Sequence, residues 1–364
     1  MKKTIGFVTS GLDFNGNTMY EKALGGSESA MIYMAREVAK LGHSVTVYCN
    51  CDRPGFYDSV EYRPQEAFLS DEKSQFDTLI VSRFTDYLAL PLDTKMNILW
   101  CHDIDCGNFK DALGVADGVF CLSEYHRSLF NENYKLEPKD WIWLTTNGYD
   151  QSINVPDVSW DQKKNNYIYA SRPERGLKTL LVDIWPAILE KNPNAILNIC
   201  GYEHTLGRPK EIDDLYQEID EILQYSKNVR KVGNLPKPQY YKLLASCGYM
   251  VYPTDFPEIS CINAIEAQYN KCLIITSDRF AMSETVKTDT KVSAEYGTPE
   301  YTKEFLKILD KYQGDVYEAE VAKGKAAIAP YSWENVAKSW DAKLDSMFAE
   351  RHAKYKDKII DNQV

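Results

Sequence analysis

Two glutamates bracket an apolar run in "DFPEISCINAIEAQYNKCLIITSD", and seven residues separate Glu258 from Glu266. If that run is helical, eight positions advance about 12 Å along the axis. A glycosidase carboxylate pair sits about 5–9.5 Å apart, so the spacing argues against that chemistry and suits an elongated ligand. A nucleotide is such a ligand: its ribose hydroxyls want an acceptor, and its phosphates suit a helix N-terminus near Ser260 and Cys261. The plainer alternative is a pair of solvated charges on an ordinary helix.

Three other stretches carry charge or geometry of the same kind. "SRPERGLKTLL" follows a strand and places Arg172, Arg175 and Lys178 at the mouth of a helix, in a chain of net charge −11. Cations there can neutralise a diphosphate; a solvated basic loop is the alternative. "ALGGSESA" sets Gly25 and Gly26 immediately before a helix, where bare backbone amides can approach an anion. The same pattern also makes a tight turn with Ser27 as cap. "LWCHDID" ends a strand with His102 and Asp103, a position from which a histidine can face a cleft. The glycine spacing is neither the dinucleotide fingerprint nor a P-loop.

These residues must be positioned by alternating elements. "TIGFVTS", "HSVTVYCN", "FDTLIVSR", "MNILWCHD" and "GVFCLSE" read as buried strands. "SESAMIYMAREVAKLG" has its apolar residues at helical spacing, and Gly42 ends it. A polar seam at 147–166 precedes a second alternation, with strands at "YIYAS", "AILNICG", "VRKVGN", "GYMVYPT" and "CLIITSD". Pro186 is expected to kink the helix it interrupts or to sit near a turn of it. The fold class expected is α/β, with two Rossmann-like, doubly wound domains facing a central cleft at the C-terminal edges of their sheets. The expected domains are 1–155 and 156–330, followed by C-terminal helices over 331–364.

A chain of 364 residues suits two cores, and 44% apolar with 26% charged residues is the composition of a soluble globular protein. Apolar runs such as "CLII" are far shorter than the ~20 residues of a membrane span. "MKKTIGFVTS" runs into a strand without a cleavage site, so the expected compartment is cytoplasmic. Nine cysteines occur without a CxxC pair, so neither a zinc site nor a disulfide framework is expected. The acidic charge argues against a surface that generally coats nucleic acid or membrane.

Taken in order, the "GG" loop, "RPERG", "E-x7-E" after "YPTDFP", and "YSWENVAKSW" resemble the GT4 family of retaining glycosyltransferases of GT-B fold, over roughly residues 4 to 345. The resemblance implies a nucleotide-sugar donor as substrate, with no other cofactor and no metal. It implies that Glu266 binds the ribose, Glu258 the transferred sugar, and Arg172 and Arg175 the diphosphate. Gly26 would bring its amide to the phosphate, His102 would stand near the sugar's 6-position, and Asn234 and Leu235 in "KVGNLP" would read the base. "YSWENVAKSW" would cross back to the first domain. The chain departs from the pattern in the shortened spacing of "RPER", in the missing glycine after Glu258, and in the missing glycine pair before Glu284. These departures surround the donor sugar. The acceptor, whether sugar, lipid or nucleic acid, would be set by "GLDFNGNTMYEKA" and "NCDRPGFYDS", which name no molecule. The rival readings are a phage-type DNA-base glycosyltransferase acting on modified cytosine, a non-catalytic sugar-nucleotide binding protein, and an epimerase of the same fold.

Overall fold

A computed structural model describes residues 2–70, 75–90, 93–107, 109–112, 114–134, 142–201 and 209–361. Strands β1 (Thr4–Val8), β2 (Ser44–Cys49), β3 (Gly55–Tyr57), β4 (Val60–Pro64), β5 (Thr78–Ser82), β6 (Asn97–Trp100), β7 (Gly118–Cys121) and β8 (Ile142–Leu144) form the first sheet. Its order is β3-β4-β2-β1-β5-β6-β7-β8, parallel except for the β3–β4 pair. Strands β9 (Asn166–Tyr169), β10 (Ile196–Ile199), β11 (Val229–Lys231), β12 (Tyr249–Tyr252), β13 (Leu273–Ser277) and β14 (Lys291–Val292) form the second, in the order β11-β10-β9-β12-β13-β14, all parallel. The strands β1, β5, β7, β12 and β13 are apolar and buried nearly throughout, as strands covered by helices on both faces must be.

Each sheet reverses its strand order once near its middle, at β1/β5 in the first and β9/β12 in the second. Loops leaving the C-terminal ends of neighbouring strands part there, and the crevice between them is where open α/β sheets take ligands. The segments after β1, β5, β9 and β12 carry Gly11, Arg83, Arg172 and Glu258 respectively. The doubly wound class is therefore as the sequence pattern implied. Strands β3, β4, β8 and β14 are additional to that reading; β3, β8 and β14 are edge strands of two or three residues, too short to show a pattern, whereas the five-residue β4 does alternate.

Six helices matter to the site: α1 (Gly26–Lys40), α2 (Glu124–Tyr134), α3 (Lys237–Ser246), α4 (Ile262–Tyr269), α5 (Met282–Thr285) and α6 (Trp333–Asp361). Helix α1 ends ahead of Gly42, whose φ of 96° is the left-handed value that a glycine stop permits. The helix runs without a break from Leu177 to Lys191, and a π-helical turn at Leu180–Ile184 directly precedes Pro186, the kind of local widening that accommodates a proline inside a helix.

The polar seam is firmly held. Tyr149 donates its N–H to the Tyr331 carbonyl at 3.0 Å and accepts from the Trp333 N–H at 3.1 Å, so the chain's two crossings lie side by side. From there α6 packs on the first sheet's layer: Trp333 stacks on Tyr33 at 5.5 Å, and Trp340 meets Trp100 at 4.7 Å while its indole N–H donates to Thr145 Oγ1 at 2.7 Å. The side chains from residue 351 onward, and residues 362–364, which were expected to fray, lie outside the described residues.

Candidate active site

A cleft of about 700 Å³ opens between the C-terminal edges of the two sheets. Its first-sheet wall is built by the loops after β1, β5 and β6 and by the start of α1. Gly25 is the cap of α1 and supplies no side-chain bond to the free amides. The N-terminal turn of α1 is occupied instead by Glu28, whose Oε2 accepts from Ser27 Oγ at 3.0 Å. A Cβ on Gly25 would lie 2.3 Å from that oxygen, so the glycine leaves room for the carboxylate. At Gly26 the nearest atom to an added Cβ is Ile262 Cδ1 at 3.6 Å, which brings the two walls together at this point.

Beside this loop Arg83 stands at φ 68°, the left-handed region that costs a non-glycine residue free energy. Its Nε and Nη2 grip the Asp103 carboxylate at 2.7 and 3.2 Å, and Nη1 approaches Glu28 at 3.5 Å. His102 packs edge-on against Trp100 at 4.2 Å. Burial, helped by the nearby Arg83 charge, holds the His102 imidazole neutral, well below its usual pKa.

The second wall carries the charge. Arg172 and Arg175 flank a tight turn, Pro173–Arg175, at the end of β9. Arg175 reaches across to Glu258, with Nη1 2.9 Å from Oε1, and lies over the Phe256 ring at 3.8 Å. The Tyr252 hydroxyl donates to the same Glu258 oxygen at 2.7 Å, fixing a carboxylate that is 7% exposed. Ser260 and Cys261 lead into α4, and Asn147 from the seam donates to Ser260 Oγ at 3.1 Å. Asn234 and Leu235 line the far end with Cys200 and Gly201.

Of the residues singled out in the sequence, Gly25, Gly26, His102, Arg172, Arg175, Asn234, Leu235, Glu258, Ser260 and Cys261 all line this one cleft. Lys178 does not: its ammonium pairs with Glu218 at 2.6 Å among half-exposed side chains, because Gly176, at φ 119°, turns the chain between Arg175 and the helix that carries Lys178. Glu266 is not on the wall either. It is fully buried behind Lys237, which reaches it at 2.6 Å and does line the cleft. Glu284 accepts from the backbone N–H groups of Glu124 and Tyr125 at 3.0 and 2.9 Å, so it caps α2 from the opposite domain.

Lys237, Arg83, Glu28, Asn147, Tyr240 and Asn263 line the cleft without having been singled out. Arg83 follows a strand just as His102 does, and the strand-end argument applied to "FDTLIVSR" would have found it. His126 was missed too. It lies wholly buried behind the wall, with Nδ1 accepting the Leu122 N–H at 3.2 Å and Nε2 facing the Asp103 carbonyl at 3.1 Å, which sets the Nε2–H tautomer.

Burial pushes the His126 pKa down from 6.5 to about 4, against the pull of the Asp103 carbonyl. The unfolded chain therefore takes up this proton first. The stability it confers is complete above 6.5 and is lost as pH falls toward the folded value, about 3 kcal/mol at most from this one group. Denaturant midpoints at pH 7 and 4.5 are expected to differ less in His126→Gln than in the wild type; equal differences would remove His126 from the acid response.

Residues 150–311 match the family model described as glycosyl transferases group 1. No curated protein matches the chain by sequence. Among solved structures, Anabaena HepE in complex with UDP and glucose is 15% identical with a TM-score of 0.68, over 94% of this chain and 100% of that one. Sucrose-phosphate synthase from Thermosynechococcus elongatus is 15% identical with a TM-score of 0.69, over 96% and 100%. AviGT4, a glycosyltransferase involved in avilamycin A biosynthesis, is 13% identical with a TM-score of 0.67, over 96% and 98%. The fold is GT-B. The group 1 domain on the second sheet, joined to that fold, supports a glycosyltransferase.

Proposed function

We propose that this chain is a retaining glycosyltransferase of the GT4 kind that uses a nucleotide-diphosphate sugar, a UDP-sugar ahead of a GDP-sugar. The observation that carries the reading is the convergence of Arg172, Arg175 and Glu258 at the switch point of the second sheet, opposite the glycine loop of the first. The UDP and UDP-glucose complexes of Anabaena HepE favour uridine as the nucleotide.

In this reading the diphosphate lies between the two guanidinium groups and the amides leading into α4, with the Gly26 amide opposite. The arginines stabilise the charge that develops on the leaving diphosphate, so this step needs no metal. The bond from the sugar's anomeric carbon to the phosphate oxygen breaks, and the acceptor hydroxyl bonds to that carbon on the same face. Its proton passes to the departing phosphate. Glu258, fixed by Arg175 and Tyr252, orients the transferred sugar, and neutral His102 offers it a hydrogen bond without adding charge. Asn234 and Leu235 border the base, and Glu266 serves the ribose.

On the acceptor side, Arg83 is met by Glu28 and Asp103. That wall is net acidic and favours a neutral, hydroxyl-bearing acceptor over the phosphate backbone of DNA. No described helix is long and apolar enough to cross a membrane. All nine cysteines are buried and unbridged, which suits the reducing cytoplasm we propose as its compartment.

A thermal-shift screen of UDP-, GDP- and ADP-sugars tests the donor, because a ligand that binds the folded state raises the melting temperature. Assay of UDP release from the best donor separates an enzyme from a binding protein, and product analysis separates transfer from epimerisation. Glu266→Ala is expected to weaken UDP binding about tenfold or more, the cost of a lost charged hydrogen bond. Unchanged affinity in a calorimetric titration would end the ribose assignment.

A further inference from the structure

Lys237 is an unusual opening residue for a helix. It is the first residue of α3, where the helix dipole disfavours a cation. Its side chain is 12% exposed and lines the cleft beside Tyr240, Asn234 and Leu235. Its ammonium lies 2.6 Å from Glu266 Oε1, and the Tyr241 hydroxyl donates to the same oxygen at 3.2 Å. The other oxygen, Oε2, is buried and has no hydrogen-bond partner among the described residues. One oxygen of the carboxylate thus accepts twice, and the other is left without a partner among the described residues.

A free oxygen on a buried carboxylate is costly unless something arrives to donate to it. The groups facing Glu266 are Lys237, Tyr240 and Tyr241 from α3, Tyr33 from α1, Cys261 ahead of α4, and Asp150 from the seam. Lys237 is the cation bonded to Glu266, and Asp150 beyond it is paired with Arg36 at 3.0 Å. Burial raises the Glu266 pKa above the ordinary carboxylate range, and Lys237 is the largest influence pulling it back.

We propose that Lys237 is a positioning residue, holding Glu266 with one oxygen clamped and the other offered to the ribose hydroxyls of a bound nucleotide. This rests on the nucleotide-sugar reading and adds to it a residue that acts through Glu266. Without the ammonium, the buried Glu266 loses the cation bonded to it and takes a proton at a higher pH. A protonated carboxyl is a poorer acceptor for a ribose hydroxyl, so nucleotide affinity should fall as the solution is acidified.

The test is calorimetric titration of UDP from about pH 6 to about pH 9 into wild type, Lys237→Met and Lys237→Arg, with each variant's affinity taken relative to wild type at the same pH. Lys237→Met is expected to bind within a few-fold of wild type at the alkaline end and about tenfold more weakly at the acid end. Lys237→Arg is expected to restore the wild-type profile. If Lys237→Met does not fold, Lys237→Gln keeps a donor to Oε1 without the charge and gives the same readout. A uniform loss of affinity across the range, or none, overturns the proposal, because a merely structural lysine would not change the slope with pH. If wild type binds neither UDP nor GDP, the nucleotide-sugar reading fails and the proposal with it; if wild type binds and only the slope is absent, the reading stands and the proposal alone fails.

Discussion

Arg175→Ala is expected to lower turnover about 10²- to 10³-fold, the loss seen when one preorganised donor to a developing negative charge is removed. Two consequences act together. The leaving diphosphate loses a guanidinium that already faces the cleft, and Glu258 loses the partner that holds its Oε1 at 2.9 Å. Glu258 is nearly buried, so its charge would be left with the Tyr252 hydroxyl as its remaining partner. Arg175→Lys is not expected to recover the activity. The guanidinium plane lies over the Phe256 ring while one of its nitrogens reaches Glu258, and an ammonium cannot do both from one position. Steady-state UDP release with a saturating donor checks this. A turnover within a few-fold of wild type would take Arg175 out of the leaving-group role.

The second large effect is structural and falls on the next residue. Gly176→Ala is expected to destabilise the second domain by more than about 4 kcal/mol, at the exceptional end of single substitutions. Gly176 has φ 119°, and a Cβ there would lie 1.7 Å from the Pro253 carbonyl oxygen. That oxygen belongs to the backbone leaving β12, so it cannot rotate aside as a side chain could. The contact lets the turn carrying Arg172 and Arg175 press against the segment carrying Glu258, and this is why the two charged groups meet. Thermal unfolding tests it: a melting temperature within about 2 °C of wild type would mean that the backbone gives way cheaply.

Much of the frame was legible in the sequence because it depends on short-range patterns. Buried parallel strands are continuous apolar runs, and the helices between them carry a 3.6-residue period. Strand ends in such a sheet converge on one crevice, so His102, Arg172, Arg175 and Glu258 could be assigned to a common site before their distances were known. Lys178 was misjudged on the same grounds: proximity in sequence to Arg175 says nothing of helix face, and its position turns it toward Glu218. Lys237 gave little sequence signal. It lies 29 residues from Glu266, and a lysine at a helix start, though the dipole disfavours it, does not name its partner.

By itself, then, the sequence determined the two doubly wound halves, the cleft between them and ten of the residues that line it, since period and strand-end position follow from local chemistry. Only the tertiary structure decided which charges pair. Arg175 with Glu258, 83 residues apart, Lys237 with Glu266, and Glu284 on the first turn of α2 are contacts between segments that the chain brings together only after both sheets have formed. Burial then sets their strength, and burial depends on what packs around a group rather than on its neighbours in sequence. That is why Glu258 stands on the cleft wall and Glu266, eight positions later, lies behind a lysine.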